Sequence, residues 1–360
     1  MIASILDLYG IRYEDSIAET IATGLINRTW KITAGEAQFI LQRINENVFK
    51  KPYEVAENIS MLNEYLTERS PGYLFVAPVK NVRNEEITFD NEHGYFRMFP
   101  FVQGSHTINV VSTPDQAFEA SLQFGRFAKL VSEFDASRLH LTIPDFHNLS
   151  LRYQQFLDAI KFGNPDRIKQ SAELISEIKK YSYILSAYEK IKKSAKVYDR
   201  VTHNDTKISN VLFDDHGKGM CIIDLDTIMP GYFISDVGDM MRTYLSPANE
   251  EEKDFTKIVV RDDFFRAIVQ GYLTNMSDEL SAEERKLILY AGLFLIYMQA
   301  IRFLADYCVN DTYYGARYEE QNFVRAGNQL CLLKNLEEKS RFFEKMISNE
   351  LKTKSYLIHS

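Results

Sequence analysis

Between Val201 and Gly231 the chain reads VTHNDTKISNVLFDDHGKGMCIIDLDTIMPG, and its polar residues are of kinds that do chemistry. His203, Asp205, Lys207 and Asn210 precede one apolar run, Val211–Phe213. Asp224 and Asp226 follow a second, Met220–Ile223. The runs have the composition of short strands, and DDHGKG between them is a turn in which Gly217 and Gly219 can take positive φ. Folding the hairpin about Gly217 sets position 210 opposite 224, and antiparallel partners lie about 5 Å apart. An amide oxygen and a carboxylate at that separation make a site for a hard cation such as Mg2+. Asp226 shares strand parity with Asp224 and can face the same way. Asn and Asp singly are common in turns and caps. The ordered set H-x-D-x4-N, a hairpin and then Asp asks for more than a turn.

Phosphoryl transfer needs a base for a hydroxyl nucleophile and ligands for a metal on the nucleotide phosphates. HNDTKISN resembles the kinase catalytic loop H-R-D-L-K-x-x-N at its His, Asp, Lys and Asn. The resemblance implies Asp205 as base, Lys207 neutralising charge on the transferring group, and Asn210 with Asp224 as metal ligands. Asn204 in place of Arg, and DLD in place of D-F-G, depart from the protein kinases. The longer series THNDTKISNVLFD, CIIDLDTIMPG and SDVGDMMR resembles the aminoglycoside phosphotransferase and choline kinase superfamily, which implies that Asp236, like His203 and Asp226, braces the site. Within it, GLINRTWKI, FILQRINENVFK, FRMFPFVQG and AIRFLADYCVNDTYY are similar to bacterial N-acetylhexosamine 1-kinases. That implies ATP and Mg2+ as cofactors and a small sugar acceptor phosphorylated on its anomeric hydroxyl. Kinases of an aminoglycoside, choline or an amino-acid hydroxyl stay open, as does a non-catalytic nucleotide- or sugar-binding protein on this scaffold.

The elements that must position these residues follow an α+β, two-lobed order. IAETIAT, RTWKIT, QFILQRI, LFVAPVK, EEITFD and GYFRMFPFV are rich in β-branched and aromatic residues and read as strands. Val55, Ile59, Leu62 and Leu66 have helical spacing. The rest is mostly helical. Thr113, Pro114 and Gln116 form a capping pattern, Asn164 with Pro165 opens another helix, and Ser281 with Glu284 a third. The boundary falls near Gly104, giving a nucleotide-binding lobe over 1–104 and a catalytic and acceptor-binding lobe over 105–360.

In a kinase-like amino-terminal lobe, ATGLINRTW would cover the phosphates, with Gly24 as its one glycine; a plain β-turn is the equal alternative. Gln42 in FILQRI stands where such kinases carry a phosphate-pairing Lys. Backbone groups of RMFPFVQG at Met98, Phe99 and Phe101 are candidates for the adenine, or these side chains are core. On the acceptor side, Arg302 and Asp306 are i,i+4 on one helical face. They form either a salt bridge or, with Tyr313, a site for sugar hydroxyls and the sugar face.

A formal charge of −8 argues against a nucleic-acid partner. Cys221, Cys308 and Cys331 make no zinc or CxxC spacing and fit a reduced, cytoplasmic protein. The start has no basic segment ahead of its apolar residues, so no signal peptide is expected. The apolar stretch Leu287–Ile301 is shorter than the roughly 20 residues a bilayer needs; a core helix and no membrane partner are expected. No HExxH, Walker A or G-x-S-x-G sequence occurs. The oligomeric state is not encoded in any pattern found.

Overall fold

The computed structural model describes residues 2–21 and 27–359. The chain divides into two compact units. The first comprises Met1–His106, Glu133–Pro144 and Leu212–Pro230; the second comprises Thr107–Ser132, Asp145–Val211 and Gly231–Ser360. The hairpin turn and DLD, expected with the later lobe, group with the first unit.

The first unit is built on an antiparallel sheet of β1 (Ser16–Ile21), β2 (Arg28–Ala34), β3 (Ala37–Arg43), β4 (Thr88–Asp90) and β5 (Gly94–Pro100), in the order β1-β2-β3-β5-β4. Trp30, Ile32, Leu41, Phe96 and Met98 pack against Ile5 and Leu6 of a helix, Ile2–Asp7, that the sequence pattern does not announce. LFVAPVK is not a strand: only Val79 makes a bridge, to Met98. Pro78 has no N–H to give a ladder, which confines this segment to the sheet margin. The helix Pro52–Arg69 buries Val55, Ile59, Leu62 and Leu66 as the spacing predicts. Its Asn58 is also buried, bonding both backbone groups of His140 and the Ile228 carbonyl just beyond DLD.

The second unit is helical. Thr113 caps Pro114–Leu130 through the Gln116 N–H, but the Gln116 side chain returns to the Ser112 N–H rather than to Thr113. That helix packs on Asp262–Met276 so closely that a Cβ on Gly125 would sit 2.7 Å from the Tyr272 carbonyl oxygen. Ser281 and Glu284 close a full capping box. The helix Ile288–Cys308 has 21 residues and is long and apolar enough to cross a membrane by length and composition, yet 78% of its apolar window is buried in this fold. Burial on that scale is the property of a core helix, and Arg302 and Asp306 lie on its last turns.

Candidate active site

The strand Arg200–Thr202 runs into the loop His203–Lys207, which is held in place by the helix Ile234–Tyr244. Both oxygens of Asp236 accept loop N–H groups, from His203 at 3.1 Å and Asn204 at 2.7 Å. Asp239 accepts the Thr206 N–H at 2.8 Å, and the Tyr244 hydroxyl donates to the Thr206 carbonyl at 2.5 Å. These bonds offset the left-handed backbone at Asn204, φ +65°. His203 is wholly buried, edge-on to Phe124 at 5.2 Å, and its Nδ1 accepts the Asp205 N–H at 3.3 Å. His203 and Asp236 therefore brace the loop.

Asp205 is the group so braced. Its Oδ2 accepts Lys207 Nζ at 2.8 Å and Asn210 Nδ2 at 3.1 Å, while Asn210 Nδ2 also reaches the Asp205 carbonyl at 2.8 Å. Burial pushes the Asp205 pKa up, but Lys207, with smaller help from His203 and Asn210, outweighs it and holds the carboxyl below its usual range. An ionised carboxylate with Oδ1 accepting no bond from the described residues is suited to take a hydroxyl proton. Asn210, its amide nitrogen committed to Asp205, is left with its oxygen as the ligand atom. Burial pushes Asp236 up to about 6.

The other half of the motif lies in the first unit. A hairpin forms between the strands Val211–Phe213 and Gly219–Ile222, and Gly217 has φ +74°, but the Asp214 N–H reaches the Lys218 carbonyl at 2.9 Å, which centres the turn on His216 rather than on Gly217 as expected. Asp224 comes next in a left-handed conformation, φ +61° and ψ +59°, which costs an L-residue roughly 1–2 kcal/mol. Asp226 does not stand beside it as a second ligand. It is 1% exposed, paired with Arg97 Nη1 at 2.5 Å and Asn27 Nδ2 at 2.9 Å. Among the described residues no three His, Cys, Asp or Glu gather as a metal site. Asn210, in the second unit, and Asp224, in the first, each carry a hard oxygen donor.

Arg97 is a residue that sequence reasoning missed. It is Gln42's partner in the β3–β5 register, and the Gln42 Oε1 accepts both Nε, at 3.1 Å, and Nη2, at 2.8 Å. Gln42 thus spends its carbonyl on a guanidinium, and a cation sits one strand away from the position where a Lys was looked for. The available signal was an Arg flanked by the two core residues Phe96 and Met98. The adenine candidates on β5 are partly engaged within the protein itself. β5 continues to Pro100, the Met98 carbonyl accepts the Val79 N–H at 2.7 Å, and the Phe101 N–H donates to the Gln38 carbonyl at 3.0 Å. The Phe101 N–H is thereby committed to the protein's own backbone, and the Met98 carbonyl carries one bond from it. Phe99 lies 4.9 Å from the Arg97 guanidinium, and Phe101 beneath Lys31 at 4.3 Å. Gly24 lies outside the described residues.

Arg302 and Asp306 form no salt bridge with each other. Asp306 is buried and accepts the N–H groups of Tyr313 at 2.7 Å and Tyr314 at 2.9 Å, together with Asn322 Nδ2 at 3.1 Å. It folds the loop after its helix and is not placed to hold a sugar, which corrects the role expected for it. Arg302 bonds only neutral groups, Gln299 Oε1 and the Tyr313 hydroxyl, both at 3.3 Å. Its guanidinium lies 5.3–5.9 Å from the rings of Phe146, Tyr313 and Tyr314. Tyr313 is 65% exposed. His147, stacked on Phe146 at 4.5 Å, joins this group. Burial and then the charges of Arg302, Arg242 and Arg152 push it down to about 3, against an opposing pull from Asp205.

Known structures of the same fold accompany this geometry. An amicoumacin kinase in complex with AMP-PNP, Ca2+ and Ami superposes with a TM-score of 0.63 at 14% identity, over 94% of this chain and 92% of that one. A microcompartment-associated aminopropanol kinase gives 0.63 at 16% identity, over 95% and 98%. Choline kinase from Cryptosporidium parvum Iowa II gives 0.59 at 13%, over 94% and 96%. At such identities they establish a kinase-like α+β fold. The sequence itself matches the model of the phosphotransferase enzyme family, APH, over residues 17–278, a span holding the braced Asp205 loop, the hairpin and the Asp236 helix. The chain therefore belongs to the phosphotransferase enzyme family.

Proposed function

We propose that this protein is an ATP- and Mg2+-dependent, cytoplasmic kinase that phosphorylates the anomeric hydroxyl of N-acetylhexosamines. The observation that carries the kinase reading is Asp205: a carboxylate held ionised by Lys207 and Asn210 on a loop locked by Asp236 and Asp239. When bound, ATP with its metal supplies the transferable phosphoryl group. The acceptor oxygen bonds the γ-phosphorus as the bridging P–O bond breaks, ADP leaves, and the hydroxyl proton passes to Asp205. Lys207 offsets charge near the transferring group, and Asn210 and Asp224 are the metal ligands in this reading.

The acceptor class rests on sequence resemblance together with local charge. The neighbours named for aminopropanol and choline act on cationic acceptors. Here Arg152 and Arg302 have no carboxylate partner among the described residues, and their field disfavours a further cation. A neutral sugar with an acetamide carbonyl avoids that repulsion and offers acceptors to guanidinium donors. The test is a panel of N-acetylglucosamine, N-acetylgalactosamine, an aminoglycoside, choline and homoserine, read by coupled ADP release. Turnover on the amines or homoserine without turnover on the hexosamines sinks the sugar assignment. No magnesium-dependent ADP release with any acceptor favours the non-catalytic alternative.

A further inference from the structure

The second unit holds a cluster of cations that its own acids do not neutralise. Arg152 donates to Gln155 Oε1 and to the carbonyls of Asp145 and Phe146, all neutral acceptors, and its Nε is buried without a partner. Arg302 likewise bonds only Gln299 and Tyr313. His147 Nδ1 is buried and unpartnered as well. Of the nearby acids, Asp145 acts on Arg152 by its charge but gives it only its backbone carbonyl, its carboxylate taking Asn148 Nδ2 at 2.8 Å, and the others are engaged elsewhere. Asp306 takes backbone N–H groups, Asp239 pairs with Arg242, Glu250 with Arg242 and Arg325, and Asp205 with Lys207. The two guanidiniums repel each other, and Arg152 is the more easily deprotonated for it, burial acting first and the Arg302 charge second. Leaving buried donors unmade is costly, so an arrangement of this kind fits a ligand that completes it.

We propose that Arg152, Arg302 and His147 form a seat for a phosphate monoester, the phosphorylated acceptor. This rests on the reading of the chain as a kinase of a hydroxylated acceptor. His147 lies within electrostatic reach of the Asp205 carboxylate. There the acceptor oxygen changes from a neutral hydroxyl to a phosphate dianion. Planar guanidinium forks match phosphate oxygens in pairs. The aromatic rings around Arg302 keep the site partly dry, which strengthens each such bond. The consequence is that the enzyme holds its product more tightly than its acceptor.

The test uses nucleotide-free protein in EDTA, titrated calorimetrically with N-acetylglucosamine, N-acetylglucosamine 1-phosphate and orthophosphate. The variants are Arg152→Gln, Arg302→Gln and Arg152→Lys, each checked for folding by circular dichroism. The ester is expected to bind wild type at least about tenfold tighter than the free sugar. Each Gln variant should lose roughly ten- to hundredfold, and Arg152→Lys should keep part of the affinity. Orthophosphate binding should fall in the same variants. If Arg152→Gln does not fold, Arg302→Gln and Arg152→Lys carry the comparison. An ester that binds no tighter than the sugar, or Gln variants that bind it like wild type, overturns the proposal. If no hexosamine is phosphorylated but orthophosphate still depends on both arginines, the acceptor assignment falls and the phosphate seat stands.

Discussion

Gln42 and Arg97 face each other across β3 and β5, and one amide oxygen accepts both the Nε and the Nη2 of the guanidinium. The third side of that guanidinium is closed by Asp226, so a cation and an anion, each 2% exposed as side chains, are buried together. Removing one member of such a pair strands the other, at a cost of about 3–5 kcal/mol. Arg97→Met should therefore lower stability by about that much in urea unfolding. Arg97→Met with Asp226→Leu should recover much of the loss. Gln42→Lys, which restores the usual residue of the third strand, should destabilise rather than activate, because it sets a second cation against Arg97.

Asp205 bears the proton in the proposed reaction. Asp205→Asn keeps the shape and removes the base, so kcat should fall roughly 10²–10⁴-fold with little change in unfolding midpoint. Lys207→Ala should reduce kcat while leaving the acceptor KM nearly unchanged. Asp205→Asn at wild-type turnover removes the kinase mechanism altogether.

Asp236 predicts an acid limb. Its ionised form accepts the N–H groups of His203 and Asn204, and burial sets its pKa at about 6. Asp205, held lower, does not explain a fall at that pH. The kcat/KM profile should therefore drop below about pH 6 as Asp236 protonates and the loop loosens. Stability runs the other way. With a folded pKa raised above the ordinary 3.8, this group favours the native state most below pH 3.8, and that contribution is lost as pH rises through about 6. Asp236→Asn should flatten the limb at a lower plateau. An unchanged limb in that variant assigns it to another group.

What was legible in the sequence was local. The existence of the hairpin after Phe213, the Ser281–Glu284 box and the helix spacing of Val55 to Leu66 all rest on neighbours within a few residues, where turn and cap chemistry dominates. What was not legible was the choice of distant partners. Asp226 read as a companion of Asp224 by strand parity, but the backbone turns left-handed at Asp224, and strand parity ends there. Its true partner, Arg97, is separated by a hundred residues and more, and no pattern in either segment names the other. Arg302 and Asp306 met the i,i+4 rule and still did not pair, because two N–H groups of the loop after Cys308 and the Asn322 amide of the following helix engage Asp306 instead.

That last contrast separates two residues on one turn of helix. Asp306 holds the backbone at Tyr313 and Tyr314, whereas Arg302 presents its guanidinium among their rings. Arg302→Ala should raise the acceptor KM at least about tenfold, leave the ATP KM in place and barely change the unfolding midpoint, since Arg302 is half-buried and bonded only to neutral groups. Asp306→Ala should lose stability instead, by about 2 kcal/mol or more, because it leaves buried N–H donors unpaired. Its acceptor KM should rise as a consequence of the displaced loop, and Asp306→Asn, which keeps an oxygen for one of the two N–H groups, should fall between. Steady-state kinetics in both substrates alongside urea unfolding resolves the pair. If Asp306→Asn is as stable as wild type but loses acceptor affinity as fully as Arg302→Ala, then Asp306 touches the acceptor after all.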